Sequence, residues 1–326
     1  AQPTPLRLRA QAVMRLLVTG GCGYIGTVLT ERLLLDGHQV IVVDTQWFGN
    51  HLAEHPELVV LKQDIRDSRA IPLDGVDTVL HLANIANDPA VELNPELSWE
   101  VNVLAGQQLA DLAVRAGVRQ FIYASSGSVY GVKQEDEVTE DLALEPISVY
   151  NKTKMAAERV LLSYRDEMIV HCVRPATVCG LSPRMRLDVA VNMLTYQALS
   201  GGQMTIFGGR QTRPNIHIKD MVGVYQHLLA RPDLPTGCYN AGFENLSILE
   251  VAELVQTEVP AEIVVTESVD PRSYRQNSDK LCSSGFTPAF TVSDAITDIS
   301  RSFKEGTLPD SPECFTVDWM RQLGLQ

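Results

Sequence analysis

The chain has 326 residues, of which 45% are hydrophobic, and its formal net charge is −13. The length exceeds one typical domain, and the acidic balance excludes nucleic acid and anionic lipid as main partners, because like charges repel. The six cysteines show no paired C-x-x-C spacing, which excludes a disulfide framework and a cysteine-based zinc site. No apolar run reaches the roughly 18 residues of a membrane span, so we expect a cytoplasmic protein.

Apolar strands and amphipathic helices alternate from Met14, where the first strand opens, to about Pro175. Residues 1–13 precede this pattern and are left out of the fold prediction. The pattern predicts, in chain order, the strand 15–19, the helix 24–36, the strands 39–43, 57–61 and 77–83, the helix 95–116, the strand 119–124, the helix 148–165 and the strand 168–174. Such alternation is typical of a doubly wound α/β fold whose mostly parallel strands are joined by right-handed crossovers.

The pattern loosens after Pro175. It predicts short strands at 203–207 and near 262–266 and helices near 187–199, 219–230, 247–258 and 292–304. We therefore expect residues 14–180 to form the parallel-sheet domain. Residues 181–326 would form mainly a smaller, mixed substrate-binding domain, with some segments returning to the first. Ligands of parallel sheets bind beyond the carboxyl ends of the strands, so we expect the functional site there.

Three closely spaced glycines follow the first strand and precede the first helix. Gly20, Gly23 and Gly26 permit a tight turn, a close approach of the backbone to a pyrophosphate, and close packing of the helix on the strand. The second strand ends at Asp44, about twenty positions downstream, where a dinucleotide ribose needs a hydrogen-bond acceptor. No Arg or Lys follows Asp44 until Lys62, so the sequence predicts a Rossmann domain that binds NAD rather than NADP.

Tyr150 and Lys154 stand four residues apart at the start of a predicted helix, which places both side chains on one face. The hydroxyl-rich segment 125–131 directly follows a strand and so lies at the same sheet edge. Because an ammonium favours the phenolate, we expect Lys154 to lower the pKa of Tyr150, which can then exchange a proton near neutral pH. Ser126 would hydrogen-bond the substrate oxygen while nicotinamide accepts hydride from the carbon bearing it.

Together these motifs resemble an extended short-chain dehydrogenase/reductase of the NAD-dependent epimerase/dehydratase family, which acts on nucleotide sugars. The resemblance spans Met14 to about Phe303 and implies a homodimer packed through the two long helices after the fourth and fifth strands. The catalytic residues it implies are Ser126, Tyr150 and Lys154. The cofactor-binding residues it implies are Gly20, Gly23, Tyr24, Ile25, Gly26, Asp44, Asp64, Ile65, Ala83, Asn102, Ser125, Tyr150, Lys154, Pro175, Thr177 and Val178.

The resemblance also implies residues that hold the nucleotide-sugar substrate. Arg213 and Arg272 match positions where family members bind the sugar-nucleotide diphosphate with a bidentate guanidinium. The full set of implied substrate-binding residues is Ser126, Ser128, Asn192, Thr205, Phe207, Arg213 and Arg272. Arg184 and Arg186 either reach a distal part of the substrate or cap a helix and pair with surface acids, and we favour the second interpretation.

Related dehydratases carry an Asp-Glu pair directly after the catalytic hydroxyl, where this chain has Gly127 and Ser128. Without a carboxylic acid to drive elimination, an epimerase that acts through a transient 4-keto sugar is favoured. Two alternatives stay open. One is a C4 dehydrogenase or 4-ketoreductase that exchanges NAD(H) in every turnover, and the other is a non-catalytic NAD-sensing or scaffold protein of the same fold.

The segment from His51 to His55 has the H-x-x-E-H spelling of a zinc protease site. Such a site needs a stable helix to bring both imidazoles to one metal ion. Gly49 precedes this segment and Pro56 follows it at once, so the helix is not expected. We therefore expect no metal site.

Overall fold

The computed structural model describes residues 13–267 and 273–325. The strands within these residues are β1 (Arg15–Thr19), β2 (Gln39–Asp44), β3 (Leu58–Lys62), β4 (Thr78–His81), β5 (Gln120–Ala124), β6 (Ile169–Pro175), β7 (Thr177–Cys179), β8 (Gln203–Phe207), β9 (Thr212–His217), β10 (Gly237–Ala241), β11 (Glu244–Ser247) and β12 (Glu262–Thr266). Seven of them form one parallel sheet in the spatial order β10-β6-β5-β4-β1-β2-β3. The predicted doubly wound α/β fold is therefore confirmed.

The helices connect the strands and cover the sheets. They are α1 (Tyr24–Leu35), α2 (Asp88–Leu93), α3 (Pro95–Trp99), α4 (Ala105–Ala116), α5 (Val149–Leu162), α6 (Ala190–Gly201), α7 (Ile218–Ala230), α8 (Ile248–Glu258), α9 (Asp279–Ser283), α10 (Val292–Lys304) and α11 (Thr316–Gln322). A π-helical turn, Glu100–Leu104, joins α3 to α4, so the predicted helix 95–116 is one helical stretch with a changed winding in its middle. Among the residues that the structure describes, no helix is long and apolar enough to cross a membrane.

Alternate residues of the central strands enter two separate cores. In β1, Leu16 and Val18 pack with α1 and α7 on one face of the sheet, while Leu17 packs with α4 and α5 on the other. All three side chains have no exposed surface. Because the sheet is covered on both faces, its strands are continuously apolar and their carboxyl ends remain the accessible edge.

Two small sheets lie outside the large one. β9 pairs with β11 antiparallel and with β7 parallel, and β12 pairs with β8 parallel. A third core, which contains residues of α6, α8 and α10, packs against β8. β10 returns from this half of the chain and adds the seventh strand beside β6. The division at residue 180 stays a prediction, since the second half contributes to both parts.

Several short elements were not predicted from the sequence. They are β7, β9, β10, β11, α2, α9 and α11. Each has seven residues or fewer, so hydrophobic periodicity has too few turns or alternations to register. The predicted helix 292–304 is found as α10. The unpredicted helix α11 follows it and contributes residues to the cleft described below.

Candidate active site

The glycine loop between β1 and α1 leaves no room for side chains. Gly20 has a φ of +74°, and a Cβ at this position would stand 2.6 Å from the backbone nitrogen of Ala83. A Cβ on Gly26 would stand 2.1 Å from the carbonyl oxygen of Gly20. Gly23 precedes α1 as its N-cap without a side-chain cap bond, so N–H groups of the first turn can face an anion. The loop therefore fits the phosphates of a dinucleotide.

Asp44 ends β2 beside this loop. One carboxylate oxygen accepts a hydrogen bond from the backbone N–H of Cys22 (3.0 Å), and the other accepts one from that of Gln46 (2.7 Å). Burial raises the pKa of the Asp44 carboxyl, while these two bonds and the charge of Arg184 oppose the rise. The two hydrogen bonds thus fix the orientation of the carboxylate, and its remaining lone pairs can accept hydrogen bonds from the hydroxyls of a ribose.

A cleft of about 470 Å³ runs along the carboxyl edge of the large sheet. This volume is in the range of small-molecule sites. Most of the residues predicted to form the site line the cleft, and the second half of the chain contributes one of them. The predicted residues that line it are Gly20, Gly23, Tyr24, Ile25, Gly26, Asp44, Asp64, Ile65, Ala83, Ser125, Ser126, Ser128, Tyr150, Lys154, Pro175, Thr177, Val178 and Arg213.

Two predicted ligand-binding amides do not line the cleft, because the chain itself uses their hydrogen bonds. Asn102 accepts a bond from the N–H of Ile85 (2.8 Å) and donates to its carbonyl (3.1 Å), which fixes the loop after β4. Asn192 accepts a bond from the N–H of Gly180 (2.9 Å) and donates one to the hydroxyl of Tyr24 (3.0 Å). Both side chains are fully buried, so they position backbone around the cleft rather than face a ligand.

Thr205 and Phe207 also lie away from the cleft. Both are in β8, which pairs with β12 in the two-stranded sheet, and the ring of Phe207 is 58% exposed. The structure therefore does not support direct contacts of these two residues with a ligand in the cleft. Arg272, the second predicted diphosphate contact, lies outside the described residues.

The three predicted catalytic side chains meet in the cleft. α5 begins after Ser148, whose hydroxyl accepts a bond from the N–H of Asn151 (3.1 Å), and this cap places Tyr150 in the first turn. Lys154 donates from Nζ to the carbonyl of Ala124 at the end of β5 (2.7 Å). The hydroxyl of Ser126, two residues after that strand end, lies 2.7 Å from the hydroxyl of Ser128. The helix and the strand thus present their polar groups to one point.

The predicted lowering of the Tyr150 pKa is wrong for this structure. Burial raises the pKa of Tyr150 to about 12, although Ser126 and Arg186 oppose the rise. Burial also lowers the pKa of Lys154 to about 7, with Glu158 opposing. Lys154 is 3% exposed, so removing its charge from water outweighs the benefit expected from its neighbours. At neutral pH the chain alone therefore holds a protonated phenol beside a lysine that is only partly charged.

The neighbouring Ser125 has a different environment from Ser126. Its hydroxyl donates to a carboxylate oxygen of Glu158 (2.5 Å), and Glu158 also binds the guanidinium of Arg174 at 2.9 and 2.8 Å. This buried network commits the Ser125 side chain to the fold. Ser126 is therefore the hydroxyl that can serve a substrate.

Gly127 lies where a side chain cannot be added without displacing its surroundings. A Cβ there would stand 3.1 Å from the side-chain oxygen of Gln276 and 3.1 Å from the carbonyl oxygen of Pro175. Both distances are shorter than ordinary van der Waals contact. At the position of the first acid of the related dehydratases, a side chain would therefore require Gln276 or the Pro175 carbonyl to move by a few tenths of an ångström.

Sequence reasoning missed several residues that line the cleft. They include Phe48, Asn84, Thr316 and Met320. Arg184, for which pairing with surface acids was favoured, is instead buried and lines the cleft. The amide of Asn84 is buried beside the hydroxyl of Tyr123, whose pKa it lowers through a hydrogen bond that opposes the effect of burial. Asn84 directly follows Ala83, a predicted site residue, so its position at the end of β4 was a usable signal. Thr316 and Met320 belong to α11, and no local pattern connects that helix with the cleft.

Arg186 was expected to pair with surface acids, and this is partly confirmed. Its guanidinium binds both carboxylate oxygens of Asp188, at 2.9 and 3.0 Å, but the residue also lines the cleft. No group of three or more His, Cys, Asp or Glu side chains is placed to hold a metal ion within residues 13–267 and 273–325.

A glycine loop that fits a pyrophosphate, in one cleft with a half-buried Tyr150 and a buried Lys154, defines an NAD-dependent enzyme with a Rossmann domain. The chain belongs to the NAD dependent epimerase/dehydratase family, whose model matches residues 16–242. It is 33% identical to an uncharacterised UDP-glucose epimerase, YtcB, of Bacillus subtilis over 74% of this chain and 81% of that protein. It is 30% identical to UDP-glucuronic acid decarboxylase 1 of Danio rerio over 75% of this chain but only 60% of that protein.

Among solved structures, the chain is similar to MoeE5 in complex with UDP-glucuronic acid and NAD. The TM-score is 0.80 and the identity is 27%, over 90% of this chain and 99% of that one.

Proposed function

We propose that the chain is an NAD-dependent nucleotide-sugar epimerase that acts through a transient 4-keto sugar. The observation that carries the proposal is the meeting of Ser126, Tyr150 and Lys154 in a cleft where a tightly packed glycine, Gly127, stands at the position of the first dehydratase acid. Alcohol oxidation and ketone reduction need a proton acceptor and donor, whereas elimination of water needs an additional acid. The site supplies the first, and at the two positions where related dehydratases carry the second it has Gly127 and Ser128.

Each catalytic side chain has one role in this proposal. Tyr150 takes the proton of the sugar hydroxyl and later returns it. Ser126 donates a hydrogen bond to the same oxygen and fixes its distance from Tyr150. Lys154, anchored on the carbonyl of Ala124, places a partly charged ammonium beside the phenol. When held by the glycine loop and Asp44, NAD would supply the hydride acceptor and donor, and its oxidised nicotinamide would bring positive charge into the cleft.

The residues that line the cleft divide by position. We assign the glycine loop, Asp44 and the ends of β4 to β6 to the cofactor, and we assign Ser126, Ser128 and Arg213 to the substrate. In this proposal residues 14–180 form the NAD-binding domain, and residues 181–326 form mainly the substrate-binding domain. The relatives named for UDP-glucose and UDP-glucuronic acid support a UDP-hexose or UDP-hexuronate as the substrate class.

A homodimer through α4 and α5 is also proposed. The two helices pack against each other on one face of the large sheet. At the start of this helical stretch Trp99 is 38% exposed and Leu104 is 51% exposed, which supports a covered surface there. A monomeric mass from light scattering at working concentrations would contradict this part of the proposal.

The test uses UDP-glucose and UDP-glucuronic acid carrying deuterium at C4, with no NAD added. We expect a C4-epimerised product that keeps its deuterium, because the hydride leaves and returns within one active site. Ser126→Ala should abolish the reaction. Products are identified by NMR, and native mass spectrometry measures the NAD that copurifies.

Each other result points to a different function. Release of free NADH with an accumulating ketone would show that the chain is a C4 dehydrogenase or 4-ketoreductase and not an epimerase. Loss of carbon dioxide from UDP-glucuronic acid would show that it is a decarboxylase. No turnover of any nucleotide sugar by protein that retains NAD would favour the non-catalytic alternative.

A further inference from the structure

Arg184 is a buried cation at the wall of the cleft. Only 4% of its surface is exposed, and no carboxylate of the described residues lies within 4.0 Å of its guanidinium. The nearest acid in the sequence, Asp188, binds Arg186 instead with both of its oxygens. A buried guanidinium without a carboxylate in ion-pair distance is costly, although the charges of Asp188 and Asp44 partly offset the cost, so a bound anion would stabilise it.

The guanidinium of Arg184 is held in place without being satisfied. Its central carbon lies 4.1 Å from the centre of the Phe48 ring. It donates two long hydrogen bonds, to the hydroxyl of Thr316 (3.3 Å) and to the carbonyl of Met185 (3.4 Å). Its Nε is buried and has no partner. Because an arginine has five N–H donors, most of its capacity remains for a ligand.

The surroundings of Arg184 show which part of the cleft it serves. Its charge acts on Asp44 at the end of β2 and on Tyr24 at the start of α1, opposing the rise in pKa that burial causes at both. The N-terminus of α1, with Gly23 as its cap, lines the same cleft as Arg184 and Asp44. Two anion-binding groups, a helix N-terminus and a guanidinium, are therefore available in the cleft that contains the predicted ribose acceptor.

We propose that Arg184 binds the pyrophosphate of the dinucleotide cofactor together with the N-terminus of α1. The dinucleotide is the ligand that carries two phosphates next to the ribose that Asp44 receives. Arg184 is then a cofactor-binding residue contributed by the segment after β7, in addition to the glycine loop. Binding of the pyrophosphate requires only the NAD dependence of the family, and it holds whichever reaction the cleft performs.

The test compares Arg184→Met and Arg184→Lys with the natural chain after bound cofactor has been removed. Affinities are measured by calorimetry for NAD, for ADP-ribose, which keeps the pyrophosphate, for adenosine, which lacks it, and for UDP. We expect Arg184→Met to weaken NAD and ADP-ribose by about 30-fold, the loss of a buried charge-assisted contact. Adenosine and UDP should change by about twofold or less. Arg184→Lys should recover part of the loss, since it keeps the charge without the planar fork.

Arg231→Met is the matched control, because Arg231 is an exposed arginine paired with Asp233 far from the cleft. It should leave all four affinities unchanged. A loss for adenosine equal to that for NAD would make Arg184 a structural residue and overturn the proposal. A loss confined to UDP would assign Arg184 to the sugar nucleotide, and an unchanged affinity for ADP-ribose would refute pyrophosphate binding. If Arg184→Met does not fold, Arg184→Lys decides: weaker binding of NAD and ADP-ribose with unchanged adenosine would support the proposal, and an equal loss for adenosine would contradict it.

Discussion

The Nζ of Lys154 lies 5.7 Å from the centre of the Tyr150 ring, one helical turn further along α5. The geometry is the one expected of a proton-transfer pair. Burial, however, makes the Tyr150 phenol harder to deprotonate and the Lys154 ammonium easier to deprotonate. Tyr150 is raised to about 12 and Lys154 is lowered to about 7. Holding this lysine in the fold therefore has a cost in stability, which the first prediction measures.

Lys154→Met is expected to stabilise the chain stripped of NAD. The folded pKa of Lys154, about 7, lies below its ordinary value of 10.5, so the unfolded chain binds the extra proton between these two values. Stability of the natural chain thus rises with pH across this window, and the full cost of burying the charge is present below pH 7. We expect the variant to gain about 2 kcal/mol at pH 7 after the lost bond to Ala124 is subtracted.

The measurement is urea unfolding of both proteins at several pH values. The advantage of the variant should shrink as pH rises from 7 towards 10.5. An advantage that is constant with pH, or a destabilised variant at pH 7, would contradict the lowered pKa.

Tyr150→Phe should reduce the epimerisation rate by about 10²- to 10⁴-fold, the usual contribution of a positioned acid or base. The Tyr225→Phe variant is its control, because the Tyr225 hydroxyl is buried without a hydrogen-bond partner and does not line the cleft. Initial rates with saturating nucleotide sugar test the pair. Equal activity of the two variants would remove Tyr150 from the mechanism.

Gly127→Ala should lower the free energy of unfolding by about 1 kcal/mol, because the new methyl group crowds Gln276 and the carbonyl of Pro175. Gly201→Ala is the matched change, since a Cβ there meets nothing within 4 Å. It should be neutral or slightly stabilising. Thermal unfolding compares the two variants, and a neutral Gly127→Ala would show that the packing at the dehydratase acid position accommodates a side chain.

Deleting residues 316–326 should speed the release of NAD by about tenfold, equivalent to about 1.4 kcal/mol of lost contact. Thr316 and Met320 of α11 line the cleft, and Trp319 donates a hydrogen bond from its indole nitrogen to the carbonyl of Trp47 (2.6 Å). α11 thereby covers the side of the cleft near Asp44. Exchange of bound NAD for labelled NAD measures the rate.

The control for this deletion is Asp318→Ala, which changes an exposed carboxylate on the same helix. It should leave NAD release unchanged. A truncated chain that folds and releases NAD at the natural rate would show that α11 does not retain the cofactor.

The sequence predicted NAD rather than NADP partly because no cation was expected near Asp44, and the structure contradicts that reason. No cation follows Asp44 for many positions, and this favoured NAD over NADP. The structure brings Arg184 close enough for its charge to act on the Asp44 carboxyl. The preference for NAD now depends on the carboxylate itself, which Cys22 and Gln46 hold in place, and not on the lack of a nearby cation.

The sequence by itself determined the parallel sheet, the glycine loop, Asp44 and the Tyr150 and Lys154 pair. These features depend on side-chain periodicity and on backbone conformation within a few residues, so a local pattern is enough to identify them. Only the tertiary structure decided that Asn102 and Asn192 hold the backbone, that burial raises the pKa of Tyr150 and lowers that of Lys154, and that Arg184 and α11 reach the cleft. Arg184 and Thr316 are 132 positions apart, and desolvation depends on every element that surrounds a group. Neither the contact between distant residues nor the desolvation can be read from the residues that are adjacent in sequence.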